Sequence, residues 1–567
     1  MQQKKRKQQS FEYGAIILLC STMLVKVIGA VFKIPLSRIL TTTGNGYFSA
    51  AYDLFTPIYS LAMAGLPIAV SRLVSENMTN KKYNDVRQSF KITKKIFRIS
   101  GLVGFLLLLS LSYPFVMFSK AEPENVYSIL AIAPSLFFCC IMSAYRGYYE
   151  GLRNMYPTAV SDVIEALGKL IFGLGFASAM LHWTNNLAFA AAGAMLGIVF
   201  GGMLSALFLI LFYKIKGDGI SKQELQNSPI AEDPKATTKA LIAIAIPVVL
   251  ASLANNIASL VDVSMVMRQL NNIVDSSAND IRAMFEASIT EYNAIEIAKN
   301  RPELINDKIP EFLYGVRGQA FTLYNLVPTI ASVLGVSALP VLVTAWKKNN
   351  KKLVKSNIES IIKLTAIIAM PAGMGYLFLG TPIMSLVFGT VAAEQIGGVM
   401  LSIYGVAAVF AGLSIPMTSM LQAIGKEKIS LRNIAIGAGL KVVANLIFVN
   451  VLWFNIRGAA MGTLVCYLFI FIANLSSLIK YTGVVPNIYK TIIKPLIAAV
   501  MCGASALGVQ YLLDGAGKIG TVAAIAVAAV VYFAVLVILN TFEPDDVVTL
   551  PKGEKILKIM TKLKLIR

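Results

Sequence analysis

Two lysines and two hydroxyls share one stripe of the first long apolar stretch. Thr22, Lys26, Gly29, Lys33 and Ser37 recur at spacings of three and four, which places them on one helical face. No acidic residue follows Glu12 in this stretch, so the two ammonium groups must find compensation on another helix or in an anionic ligand. Phosphate or pyrophosphate is a natural guest for paired ammonium groups. Snorkelling toward headgroups is the alternative, better suited to Lys33 than to Lys26. A second polar face follows at Asp162, Glu165 and Lys169, again three and four apart. It can be paired within itself, or it can neutralise the first-helix lysines.

Further stripes lie downstream. Ser252, Asn255, Ser259 and Asp262 share a face with Asn256 beside it, and Lys441 and Asn445 stand one turn apart, making Asp262 and Lys441 expected partners. Asp53 and Arg72 in one helix and Asn325 in another complete the intramembrane polar set, with Arg72 read as an interfacial anchor. Apart from that anchor, these charged and amide residues are the expected lining of a central substrate cavity. Catalytic and metal-binding sets are not expected. The single histidine, His182, stands beside Trp183 at a helix end, and the five cysteines fall inside apolar runs without a CxxC pair, which suits packing rather than zinc. A membrane glycosyltransferase would need positioned carboxylates, whereas Asp275, Asp280, Glu286 and Glu291 are scattered along one polar segment.

The elements that must hold these residues are membrane helices. The 567 residues are 56% hydrophobic and 14% charged, with a mean hydropathy of +0.68, against about 25% charged for an ordinary soluble domain. The apolar runs lack the alternation of barrel strands, so the expected fold is all-α and polytopic. Fourteen transmembrane segments are expected, at 14–40, 47–75, 90–119, 124–147, 157–183, 186–213, 240–267, 316–345, 357–379, 394–424, 430–453, 458–480, 490–513 and 518–541. The first is a retained helix, since the run after Lys4, Lys5, Arg6 and Lys7 continues without a clean cleavage site.

Connections after even-numbered segments are basic, with Lys81, Lys82 and Arg87, then Arg153, then Lys214 and Lys216, then Lys347 to Lys352, then Lys426 and Lys428. Those after odd-numbered segments are nearly bare, which puts both termini in the cytoplasm. The net charge of +21 therefore reflects topology and anionic lipid headgroups, not nucleic acid. Segment 269–315 falls outside by this count and is polar; its run Asn279 to Lys299 has helical composition. A hydrophilic tether, 217–239, is expected to join the halves.

The halves resemble one another. At a spacing of 272, Lys169 meets Lys441, and Glu150-Gly151-Leu152-Arg153 meets Gln422-Ala423-Ile424-Gly425. Pro57 and Pro328, and Leu66-Pro67 and Leu339-Pro340, pair in order. Two parallel six-helix lobes are expected, 1–216 and 240–480, followed by two extra C-terminal helices in 481–541 and a basic tail, 542–567.

Lys33-Ile34-Pro35-Leu36-Ser37-Arg38-Ile39-Leu40, Gly44-Asn45-Gly46-Tyr47 and Ala64-Gly65-Leu66-Pro67-Ile68-Ala69-Val70-Ser71-Arg72 resemble the stage V sporulation protein B group. That group lies in the polysaccharide branch of the MOP exporter superfamily, related to MurJ-type lipid II flippases. The resemblance implies a MATE-like V of two lobes in the bacterial cytoplasmic membrane, a cationic cavity for a lipid pyrophosphate, and alternating access. It implies no cofactor, but coupling to membrane potential or an ion gradient. The implied substrate is an undecaprenyl-pyrophosphate-linked glycan, lipid II foremost, with cell-wall synthesis proteins as partners. Another lipid-linked polysaccharide, or a drug or metabolite, is the alternative cargo. Lys26 stands where such flippases commonly carry an arginine. Leu323 stands where many carry another, with Arg317 two turns earlier.

Overall fold

The computed structural model describes residues 11–541 apart from Gly65 and Asp514, and within this range every regular element is helical. The α-helices are α1 (Phe11–Ala64), α2 (Leu66–Thr79), α3 (Tyr83–Ser119), α4 (Asn125–Ile132), α5 (Ser135–Gly151), α6 (Tyr156–Thr184), α7 (Leu187–Lys216), α8 (Lys222–Gln226) and α9 (Pro234–Met284). They continue as α10 (Glu286–Ala298), α11 (Ile309–Tyr324), α12 (Leu326–Lys347), α13 (Lys351–Phe388), α14 (Gly398–Ala423), α15 (Glu427–Phe448), α16 (Gly458–Thr482), α17 (Lys494–Leu512) and α18 (Gly517–Ile538). Among the described residues, ten helical spans are long and apolar enough to cross a membrane, as backbone satisfaction in lipid demands.

The chain divides into two compact units. The first comprises residues up to Asn271 together with Ile305–Gly315. Its helices α6 and α7 approach closely because glycines face each other across them: a Cβ on Gly168 would lie 2.6 Å from Gly201 Cα, and one on Gly197 would collide with Gly173. Small residues of this kind let membrane helices touch backbone to backbone. Phe90 of α3 stacks on Tyr148 of α5 with centroids 3.9 Å apart, inside a cluster that also holds Tyr145 and Tyr149.

The second unit comprises 272–304 and the residues from Val316 onward. The last two helices are tied to α13: Tyr532 of α18 donates to the Ile367 carbonyl at 2.8 Å, and Gly503 of α17 leaves room for the Phe378 ring.

Three stretches differ from the sequence reading. The first expected segment and much of the second form one long α1, broken at Thr41 (φ 53, ψ −166). Segment 269–315 carries the helix expected at Asn279 to Lys299 and more besides: α9 runs on to Met284, with one non-helical residue at Ser277, and α10 follows. No proline or glycine intervenes between Gln269 and Arg301, so nothing in the sequence stops the helix.

The tether is also better anchored than its polar composition suggests. Arg87 grips Asp218 at 2.9 Å, Tyr148 donates to the same carboxylate at 3.2 Å, and Asn84 donates to the carbonyls of Leu225, Ser228 and Pro229. Lys82 pairs with Glu232 at 2.7 Å. Ser221 and Glu224 form a capping box that starts α8. Segment 217–233 is a strap laid along the start of α3.

Candidate functional site

The kink at Thr41 folds α1 back so that residues on both sides of it meet. Asn45 secures the bend, its amide donating to the carbonyls of Thr41 (2.6 Å) and Ser37 (3.2 Å) and to Ser37 Oγ (3.0 Å). Phe32 before the bend lies 6.2 Å from Phe48 after it, and Phe48 stacks on Tyr52 at 5.7 Å.

Two ammonium groups converge on this aromatic wall. Lys33 Nζ is 5.6 Å from the Tyr52 ring centroid. Lys169 Nζ, from α6, is 4.8 Å from the same ring and 5.1 Å from Phe32. Each contact stabilises a cation by about 0.5–2 kcal/mol. Beside Tyr52, Asp53 accepts a hydrogen bond from Tyr314 at 2.8 Å. The structure therefore gathers Lys33 and Lys169, from two of the stripes seen in sequence, around Tyr52, with Asp53 close enough to Lys33 to act on its charge.

Asp162 and Glu165 face a different partner from either one considered above. Arg146 of α5 reaches Asp162 Oδ1 through Nη1 and Glu165 Oε2 through Nη2, each at 2.9 Å. Its Nε donates to Ser161 Oγ at 2.8 Å and its Nη2 to Ser205 Oγ at 3.3 Å. A guanidinium fork spans two carboxylates one turn apart, as a single ammonium group does not. With both acids held by Arg146, Lys169 stands at the tyrosine.

Lys26 is exposed on α1 and close enough to interact electrostatically with Lys33 and Tyr52. The remaining expected residues are placed elsewhere. Asn325 is exposed just before α12, while Lys441 and Asn445 are half-buried and buried on α15, all in the second unit. Arg317 is buried, with its guanidinium 5.3 Å from the Phe321 ring. The side chains of Asn255, Asn256 and Asp262 lie outside the described residues. Among the described residues, no group of three or more His, Cys, Asp and Glu side chains could hold a metal ion.

Sequence reasoning missed Arg146, Tyr52 and Tyr314. A lone arginine near the end of an apolar segment, followed by Asp162 and Glu165 three residues apart, was a usable signal. Aromatic residues in apolar helices carry none.

Comparison with known proteins supports the fold and the resemblance. The model of the family described as polysaccharide biosynthesis protein matches residues 13–295. The chain is 23% identical to the lipid II flippase MurJ of Bacillus subtilis (strain 168), over 88% of each chain. It is 22% identical to stage V sporulation protein B of the same organism, over 96% of this chain and 98% of that one. Among solved structures, a lipid II flippase MurJ in an inward closed conformation superposes with a TM-score of 0.64 at 16% identity, over 92% of this chain and 98% of that one. An inward-facing multidrug resistance MATE family transporter of the MOP superfamily gives 0.60 at 16% identity, over 83% and 98%. These matches bear out the resemblance to the MOP exporters.

Proposed function

We propose that this chain, a relative of the MOP exporters, is a flippase that moves an undecaprenyl-pyrophosphate-linked glycan, foremost lipid II, from the cytoplasmic to the outer leaflet of a bacterial cytoplasmic membrane. One observation carries the reading: Lys33 and Lys169 present two ammonium groups at one tyrosine, a charge pattern suited to a pyrophosphate. The curated relatives named for lipid II and sporulation point the same way. No bond is made or broken in this activity, so the chain acts as a transporter and not as an enzyme.

The finer architecture belongs to the same proposal. It has fourteen transmembrane helices, two parallel six-helix lobes, two further helices and both termini inside, working by alternating access and driven by membrane potential or an ion gradient. The basic connections would meet anionic lipids, and cell-wall synthesis proteins would take the product.

The test is reconstitution of the full chain in liposomes carrying a fluorescent lipid II. Transfer should require the protein and fall about tenfold or more in Lys33→Ala/Lys169→Ala, while the Lys33→Arg/Lys169→Arg pair keeps most of it, since Arg retains the charge. Equal transfer by wild type and the alanine pair would reject the role of this cluster.

A further inference from the structure

We propose that Glu311 is a proton-binding site, and that the proton it holds keeps the start of α11 seated on the bend of α1. Every residue in the argument belongs to the first unit. The inference also stands apart from lipid transport, because it concerns a local joint that a chain moving no lipid would still possess.

The joint is backbone against backbone. A Cβ on Gly46 would fall on the Glu311 carbonyl, and one on Gly315 would fall on the Thr42 carbonyl. With the chains this close, the Glu311 side chain is fully enclosed, at 0% exposure. Its Oε1 accepts from the Glu122 backbone N–H at 2.9 Å and from Asn125 Nδ2 at 3.1 Å. Its Oε2 is buried with no hydrogen-bond partner, as is Asn125 Oδ1.

The charged and titratable groups around it do not favour an anion. From the turn between α3 and α4 come Glu122 and Glu124, from the turn before α11 come Asp307 and Lys308, and from α1 comes Tyr47. Lys308, the cation on this face, is committed to Glu124 at 3.2 Å, and Tyr47 donates to that same carboxylate at 3.1 Å. An ionised Glu311 would leave a bare carboxylate oxygen in the protein interior beside other acids, a costly arrangement. A proton on Oε2 removes the charge and keeps both hydrogen bonds to Oε1. Burial accordingly pushes the Glu311 carboxyl up to about 7, and burial also raises Glu122.

The proton comes from water on the side where 269–315 emerges and returns to water on release, with no other bond changed. The sign follows from linkage. A carboxyl raised in the seated form stabilises that form fully below its ordinary value, and the stabilisation is lost as pH rises through about 7. The seat of α11 therefore tightens in acid and loosens in base.

Hydrogen–deuterium exchange of the full chain in nanodiscs, corrected for intrinsic exchange, reads this directly. Protection of amides in 309–315 should fall by at least about tenfold between about pH 5 and about pH 8, and Glu311→Gln should stay protected at both. Wild-type protection that is flat across this range, or the same pH response in Glu311→Gln, overturns the proposal. If Glu311→Gln fails to fold, Asn125→Ala decides. It removes a donor to the ionised form, so the midpoint must move up; an unmoved midpoint overturns the proposal. Loss of lipid transport with this response intact would count against the flippase reading alone.

Discussion

Arg146 is the side chain whose removal should do most harm to the first unit. Its own side chain is 9% exposed, while those of Asp162 and Glu165 are 25% and 27% exposed. Replacing it by methionine keeps much of the volume, loses two ion pairs at 2.9 Å and strands the donor-seeking oxygens of both acids. Removing one partner of a fully buried pair costs about 3–5 kcal/mol. The quarter exposure of the acids lets water take up part of that loss, so about 2–3 kcal/mol is expected here. The assay is unfolding of the purified full chain in mixed micelles, followed by the mobility of a dye-labelled cysteine or by tryptophan fluorescence. Most of the loss should return in Arg146→Met/Asp162→Asn/Glu165→Gln, where the stranded charges are gone. Refutation would be an Arg146→Met protein within about 0.5 kcal/mol of wild type, or a triple variant worse than the single one.

Other parts of the structure make separate predictions. Gly197→Leu should clash with the Gly173 backbone and destabilise the α6–α7 pair by at least about 1–3 kcal/mol, visible as a lowered melting temperature; Gly175→Ala, with open space around its Cβ position, should be close to neutral. Burial acts to raise the Asp218 carboxyl, but Arg87, the Ile220 N–H and Tyr148 outweigh it and hold Asp218 below the usual carboxylate range. The strap it anchors should thus be firm above the ordinary value and loosen only as pH falls through the depressed one. Asp218→Asn should expose 217–233 to limited proteolysis at neutral pH, at a cost of about 1–2 kcal/mol in strap closure; a cleavage rate equal to wild type would contradict the anchoring. Tyr52→Leu should weaken transport by removing the ring shared by Lys33 and Lys169, and Tyr52→Phe should preserve it, measured side by side in the liposome assay.

Much of the architecture was legible because lipid leaves so few options. Long apolar runs must become helices, and Thr41-Thr42-Thr43-Gly44-Asn45-Gly46 between the first two runs marks the place where α1 kinks at Thr41 rather than ends. Segment 269–315 was harder, because its mixed polar composition is compatible with both helix and loop, and only packing decides. At the site, Lys33 and Lys169 stood out by the cost of burying charge. Tyr52 did not, since an aromatic side chain in an apolar helix costs nothing and gives no sign of the cation beside it. Arg146 was hidden by position, as arginines near helix ends usually anchor to headgroups, and its two acids had a nearer sequence neighbour in Lys169. Glu311 was hidden by context: in a polar segment one more carboxylate looks solvated, and it is the packing of Gly46 and Gly315 against carbonyls that encloses it.

Movement of a lipid-linked glycan across the membrane by this chain can be read in cells by depleting the protein and its close homologues together and following undecaprenyl-linked precursors on each leaflet. Lipid II is expected to build up on the cytoplasmic face, and wild type, but not Lys33→Ala/Lys169→Ala, to clear it. Unchanged distribution of every undecaprenyl-linked precursor after depletion would contradict it.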